Sequence, residues 1–352
     1  MKQNIQSLAS APAFLLLLVV LAICSCKKDD NNNNCPEFNN SGLVITSQTE
    51  STELPGLVSI FFKVDDSSGK PIASLTSTAF TVYEKGRNDE CPRLISASES
   101  NSRISPKSQR FNFNTILVLD FSGSVINSSL SELKSAATSL VENVMPDTAD
   151  SAYKMGIWWF DGENELHQLI GFTSDKDALN DAIDGLTGAM STDPSTDLYG
   201  AVIKASDLAA GTLDTIVGQG VIGAASIVIF TDGTDQAARY TKTEALNKVN
   251  ALDERITVFS IGLGSEIDQP TLKSIGTDGS IFADDKTELE SKFIEVAGLV
   301  AAEANSYYLF EYCSPKRDGS GINDLIIEVT SSSKKGYLKT TFDATGFTSG
   351  CQ

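Results

Sequence analysis

Apolar and polar positions change their spacing along this chain of 352 residues. Residues 57–64 form an apolar run and residues 80–84 alternate between apolar and polar, which is typical of strands. A turn-forming stretch at 65–71 separates them, and no helical spacing intervenes. We therefore predict that residues 43–110 are β, with the polar stretch 98–108 as a connecting loop.

The middle segment, residues 112–305, alternates between two patterns. Apolar runs that suit strands buried on both faces occur at residues 114–119, 155–160, 225–230 and 256–261. Residues at helical spacing separate or follow them near 130–144, 177–183, 198–208, 242–252 and 289–304. Alternating strands and helices predict a doubly wound, Rossmann-like α/β fold with a parallel sheet.

The strand pattern returns in residues 306–352, at 307–312, 325–329 and 337–342. Two β segments that flank an α/β segment can pack together as one sandwich. We predict that residues 43–110 and 306–352 form two parts of a β-sandwich into which the α/β domain is inserted.

The charge and the single histidine exclude several functions. The chain has 27 Lys and Arg against 46 Asp and Glu, a net charge of -19, so it does not favour nucleic acid as a partner. The only histidine, His167, argues against a His-rich zinc site and against Ser-His or Cys-His catalysis, and we interpret it and Asp161 as structural. A Gly-x-Gly-x-x-Gly pattern at 218–223 precedes a predicted strand, so we expect no nucleotide.

The first residues predict export. An apolar run of twelve residues, 13–24, is too short to span a bilayer and suits a signal peptide over residues 1–25, followed by a polar tether at 26–42. Residues 21–26 resemble a bacterial lipobox. Cys26 is the better lipidation site because the small Ser25 precedes it, whereas Cys24 follows a bulky isoleucine.

The Lys-Asp run after Cys26 resembles the export signal of surface-exposed lipoproteins in the Bacteroidetes group. This resemblance implies a protein that is anchored by lipid to the outer membrane, exposed at the cell surface, and in contact with the membrane only through that anchor.

The cysteines outside the predicted signal peptide and lipid site are Cys35, Cys91, Cys313 and Cys351. An even number in an exported chain predicts two disulfides, and the sequence leaves three connectivities open. If the two β segments form one domain, Cys91 pairs with Cys313 and Cys35 pairs with Cys351.

Side chains that suit a metal follow the predicted strands. Asp120, Ser122 and Ser124 come directly after the first α/β strand, Thr196 precedes a helix, and Asp232 follows a later strand. In open α/β sheets ligands bind beyond the carboxyl ends of the strands, so we expect these residues to meet in surface loops there.

This set resembles the metal-ion-dependent adhesion site of the von Willebrand factor A domain, over residues 112–305. The resemblance implies a bound Mg²⁺ or Mn²⁺, with direct hydroxyl ligands, one or both aspartates acting through water, and one open position for an Asp or Glu carboxylate of a protein ligand. Thr192 is the alternative to Thr196. A simple helix-capping role is the alternative for Asp120 and Ser122.

The sequence thus favours a cell-surface lipoprotein that binds a protein ligand through a Mg²⁺-dependent site and is not an enzyme. The alternatives are a structural docking subunit of an envelope assembly and, more remotely, a metal-assisted hydrolase. We rank the hydrolase last because no general base accompanies the predicted metal.

Overall fold

The computed structural model describes residues 35–105, 111–316 and 321–348. The predicted signal peptide, Cys26 and Cys351 lie outside these residues, as does most of the predicted tether. The chain divides into Met1–Cys35 and Pro36–Gln352, and the architecture below belongs to the second unit. None of the helices in the described part of the chain is both long enough and apolar enough to cross a membrane.

The secondary structure follows the three predicted segments. Before the α/β segment come β1 (Leu43–Glu53), β2 (Leu57–Asp66), β3 (Phe80–Lys85), β4 (Arg93–Ile95), α1 (Ala97–Ser100) and β5 (Arg103–Ser105). The middle segment contains β6 (Phe111–Asp120), α2 (Gly123–Ser128), α3 (Leu130–Val144), β7 (Tyr153–Phe160), β8 (His167–Thr173), α4 (Lys176–Asp184), α5 (Leu198–Gly218), β9 (Ile222–Thr231), α6 (Lys242–Asn250), β10 (Ile256–Leu263), α7 (Gln269–Ile275), β11 (Gly279–Ala283) and α8 (Leu289–Ala304). The last described strands are β12 (Tyr307–Cys313), β13 (Ile322–Ser331) and β14 (Lys334–Asp343), and short 3₁₀ turns lie at Ser77–Ala79, Gly188–Met190 and Lys286–Glu288.

The middle segment forms a sheet in the order β11-β10-β9-β6-β7-β8. Its strands are parallel except β8, which is antiparallel to β7 at one edge. Apolar residues of α3, α4 and α8 pack on one face, and those of α5, α6 and α7 pack on the other. This arrangement confirms the predicted α/β fold class, and it explains why β6 and β9 are apolar on both faces.

The flanking segments form two antiparallel sheets, in the orders β1-β2-β12-β5 and β14-β13-β3-β4. Strands from before and after the α/β segment pair in both, because β2 pairs with β12 and β3 pairs with β13. Side chains of the two sheets share one core, which includes Phe62, Val82, Phe310 and Leu325. The observed architecture is therefore an α/β domain inserted into a β-sandwich.

The prediction of a polar connecting loop at residues 98–108 was wrong in part. It contains the end of α1 and all of β5, and β5 pairs with β12 over three residues. Because β12 also carries the chain out of the α/β segment, the strands that enter and leave that segment lie in one sheet. Phe111 of β6 packs against Tyr307 of β12, with ring centroids 4.9 Å apart and planes tilted by 32°.

Cys35, Cys91 and Cys313 are each disulfide-bonded. The pairing of Cys91 with Cys313 and of Cys35 with Cys351 stays a prediction.

Two buried glutamates of the sandwich lie in opposite electrostatic settings. Glu84 on β3 is fully buried, and burial raises its pKa above the ordinary value of 4.5. Burial also acts on Glu311 of β12, but hydrogen bonds from two serines and the Arg103 guanidinium outweigh it and lower its pKa. The ionised form therefore destabilises the fold at Glu84 and stabilises it at Glu311.

We expect Glu84→Gln to stabilise the protein at neutral pH and Glu311→Gln to destabilise it, by about 1.4 kcal/mol per unit of pKa shift. The stability that Glu84→Gln adds should vanish below 4.5, the pKa of this carboxyl in the unfolded chain, because Glu84 is then protonated in both the folded and the unfolded protein. The stability that Glu311→Gln removes should become smaller as the pH falls through the lowered pKa of Glu311 in the folded protein. Thermal unfolding of both variants between about pH 4 and pH 8 checks this, and a Glu84→Gln protein less stable than wild type at about pH 8 would contradict it.

Candidate metal centre

Three loops meet at the carboxyl end of the central sheet. Strands β6 and β9 are parallel neighbours and end at Asp120 and Thr231, and the third loop leads into α5. Backbone hydrogen bonds join the loops: Gly123 N donates to Pro194 O at 2.9 Å, and Gln236 N donates to Thr196 O at 2.8 Å. The positions of the site residues are therefore fixed by main-chain contacts.

Asp120 is the last residue of β6 and is fully buried. Its Oδ1 accepts a hydrogen bond from Ser122 N at 2.8 Å, and its Oδ2 accepts one from Thr231 Oγ1 at 2.6 Å. The expectation that all five residues lie in surface loops was wrong for Asp120, because this carboxyl sits inside the end of the sheet. The sequence analysis also missed Thr231, although a hydroxyl directly before Asp232 at a strand end was a usable signal.

Burial, with a smaller contribution from the nearby Asp232, raises the pKa of Asp120 to about 7 against the opposing hydrogen bond from Thr231. Burial also raises the pKa of Asp232. Across the described parts of the chain, no lysine or arginine forms an ion pair with either carboxyl. Two neighbouring acids therefore lack a basic partner, an arrangement that a bound cation would stabilise.

The serine hydroxyls connect these two acids. Ser122 Oγ lies 3.2 Å from Ser124 Oγ, and Ser124 Oγ donates to Asp232 Oδ1 at 2.8 Å. Ser122 occupies the N-cap position of α2, but its side chain makes no capping hydrogen bond. A helix-capping role therefore does not account for this hydroxyl.

Thr196 lies with this group and Thr192 does not. Thr196 is buried, and a Cβ added to Gly233 would lie 3.8 Å from its Oγ1, so its hydroxyl faces the loop of Asp232. Thr192 is exposed and its hydroxyl donates to Glu163. The geometry favours Thr196 of the two threonines.

The close contact of the loops requires glycine at position 123. A Cβ added there would meet the Pro194 Cβ at 3.0 Å, which the main-chain bond between these residues gives little room to relieve. Glycine therefore lets the first loop approach the one that carries Thr196.

The residues fit a hard divalent cation. All five offer oxygen, the donor that Mg²⁺ prefers, and two of the five are acids. Adjacent ligands of an octahedral ion with bonds of about 2.05 Å lie about 2.9 Å apart. The spacings of 2.8 Å between Ser124 and Asp232 and 3.2 Å between Ser122 and Ser124 are close to this value.

Comparison with known proteins identifies similarity over this same region. Residues 115–234 match the family model described as von Willebrand factor type A domain, and this range includes all five predicted ligands. A search of curated proteins finds no match.

Several solved structures align with the chain. Proximal thread matrix protein 1 from the mussel byssus is 17% identical over 55% of this chain and 49% of its own, with a TM-score of 0.44. The protein BatB from Bacteroides thetaiotaomicron is 15% identical over 55% of this chain and 99% of its own, with a TM-score of 0.42. A von Willebrand factor type A protein from Catenulispora acidiphila is 10% identical over 89% of this chain and 76% of its own, also with a TM-score of 0.42.

The chain spans about half the length of the mussel protein. Identity is low in all three alignments. The family match confirms that residues 115–234 of the α/β segment are similar to von Willebrand factor type A domains, as the motif predicted.

Proposed function

We propose that this protein binds a protein ligand through a divalent cation, Mg²⁺ or Mn²⁺, at the carboxyl end of its central sheet. The cation would be held by Asp120, Ser122, Ser124, Thr196 and Asp232. The observation that carries the proposal is the buried Asp120 beside Asp232, with hydroxyl and amide donors around them and no basic side chain of the described residues paired to either. When bound, the cation supplies an electrophilic position for a carboxylate of the ligand.

The site reaches solvent on one side, which an incoming ligand requires. Ser124 is exposed and Asp232 is partly exposed, whereas the other three residues are buried. The chain's net charge of -19 repels an acidic ligand at long range. A dication among the site residues cancels the charge of Asp120 and Asp232 and offers an electrophilic position at this one point, so it favours an Asp or Glu side chain there.

Binding is a better conclusion than catalysis. The two carboxylates of the set would hold the cation, and the remaining three ligands are hydroxyls. None of the five is left to act as a general base, which metal-assisted hydrolysis requires beside the ion.

Calorimetric titration of Mg²⁺ into the purified protein should find one site. Thr196→Val removes a proposed ligand and should weaken binding at least about tenfold, as should Asp120→Asn. Thr192→Val is the matched control and should bind Mg²⁺ like wild type, because its hydroxyl contacts Glu163 instead. Ca²⁺ should bind more weakly, since it prefers about 6–8 ligands at longer distances.

The partner is tested with the same variants. Proteins captured on the immobilised protein in Mg²⁺ should be released by chelator, and Thr196→Val should not capture them. Equal Mg²⁺ affinity in wild type and Thr196→Val would overturn the ligand assignment. Ligand capture that chelator leaves unchanged would overturn the metal bridge itself.

We also propose that Cys26 carries lipid and that the protein is anchored to the outer membrane with its folded part at the cell surface. The support is the residue order at 21–26 and the charged tether that follows. Metabolic labelling with a fatty acid should label wild type and Cys24→Ala, and Cys26→Ala should accumulate as unlabelled precursor. Labelling of Cys26→Ala, with loss of label in Cys24→Ala, would assign the lipid to Cys24.

A further inference from the structure

A second cluster of metal-ligating side chains lies on the turn between β7 and β8. It consists of Asp161, Glu163 and His167, whose ligand atoms all lie within 4.8 Å of one another. The geometry points to a site for a borderline divalent ion of the Zn²⁺ type, held by one imidazole nitrogen and two carboxylate oxygens. This inference is independent of the proposed function, because the cluster shares no residue with the first site.

The position of His167 Nε2 indicates a missing partner. This atom is buried and has no hydrogen-bond partner among the described residues. It lies 3.4 Å from Glu163 Oε2 and 3.9 Å from Asp161 Oδ1, both longer than the usual limit of about 3.2 Å for a direct N–H···O bond. Two ligands of a tetrahedral ion with bonds of about 2.05 Å lie about 3.4 Å apart. The distance to Glu163 equals this value, and the distance to Asp161 is 0.5 Å longer, so Asp161 would move slightly toward a bound ion.

The imidazole ring is held in this orientation. It stacks on Trp159 with ring centroids 4.0 Å apart and planes 12° from parallel, and the pairing of β7 with β8 places the two residues opposite each other. The other ring nitrogen, Nδ1, lies 4.0 Å from Glu165 on the far side of the ring. Strand pairing and stacking therefore direct Nε2 toward the two carboxylates.

The carboxylates are oriented as well. Asp161 Oδ2 accepts hydrogen bonds from Ser191 Oγ at 2.9 Å and from Thr192 N at 3.2 Å, and Glu163 Oε1 accepts one from the Thr192 hydroxyl. Asp161 Oδ1 accepts one bond, from Glu163 N at 2.9 Å, and keeps a second lone pair. Each acid thus has one oxygen that faces His167 and another that accepts hydrogen bonds from neighbouring groups. Hydrogen bonds of this kind commonly orient the carboxylate ligands of metal sites.

Charge and exposure also suit an ion. Two carboxylates balance the charge of a divalent cation, and the imidazole favours Zn²⁺ over Mg²⁺. Asp161 is fully buried, but the Glu163 side chain is 41% exposed and leaves a route from solvent. The three protein ligands leave the fourth tetrahedral position open. The competing explanation is a protonated His167 that simply pairs with the two acids, and the experiment below separates it from a metal site.

The test is a Zn²⁺ titration of the full protein in excess Mg²⁺, which occupies the first site. His167→Phe keeps a ring on Trp159 but removes the nitrogen ligand, and Glu163→Gln removes one carboxylate. Glu165→Gln is the matched control, because it removes an acid from the same turn on the other side of the ring. We expect one Zn²⁺ in wild type and Glu165→Gln, and at least about tenfold weaker binding in His167→Phe and Glu163→Gln.

Nuclear magnetic resonance of the ring gives a second readout. His167 is the only histidine, so its ring signals need no assignment and report on this cluster whatever other groups bind Zn²⁺. Zn²⁺ should shift the Nε2 signal of the ring at constant pH, because the ion binds at that nitrogen. An Nε2 signal that saturating Zn²⁺ leaves in place, or equal Zn²⁺ affinity in wild type and His167→Phe, would overturn the site and leave an ion pair with the two acids.

Discussion

The candidate site depends on the buried carboxyl of Asp120 at the end of the central strand. Asp120 has no exposed surface and no basic partner in the described part of the chain, so its carboxylate is costly to keep ionised, and a second acid, Asp232, lies close by. The hydroxyls of Ser122, Ser124 and Thr231 lie around this pair, and they stabilise the charge only in part. A cation bound by the same oxygens would complete the compensation, so the feature that destabilises the metal-free site is the one that would give it affinity.

The remaining architecture keeps this arrangement in place. The strand that ends at Asp120 begins at Phe111, where it packs against Tyr307 next to the sandwich. At about 3.3 Å per residue, its ten residues separate the site from the sandwich by about 30 Å. Strands β5 and β12, on either side of the α/β segment, pair with each other. The sandwich therefore holds that segment at both its ends and leaves the carboxyl edge of the sheet free for a ligand.

The sequence predicted the parallel strands and the loops at their ends because both depend on local patterns. Burial on two faces produces the apolar runs, and strand ends bring distant polar residues to one edge. Helix α5 was predicted near 198–208 but continues to Gly218, and the extension buries Ala209, Leu213 and Ile216. Thr212 and Thr215 lie in this extension, where their hydroxyls bond to the carbonyls four residues before them at 2.7 and 2.8 Å. Threonine is less common inside helices than at their ends, but both of these threonines lie within the helix.

Other features could not be read from the sequence because they depend on tertiary contacts. Strand β5 has three residues in a polar stretch and forms only because β12 offers it an edge. Asp161 and His167 each suit a structural role when considered alone, and only the β7–β8 pairing places them on either side of Glu163. The burial of Asp120 is likewise a property of the packed sheet, whereas its position after an apolar run was visible in the sequence.

The most direct test of the account is the location of the ion itself. A crystal of the protein grown with Mn²⁺ should give an anomalous difference peak at the carboxyl end of the sheet, about 2 Å from the hydroxyl oxygens of Ser122, Ser124 and Thr196. Well-ordered loops with no peak between them, or a peak bound only by residues outside this set, would contradict the central claim that these loops form a metal site.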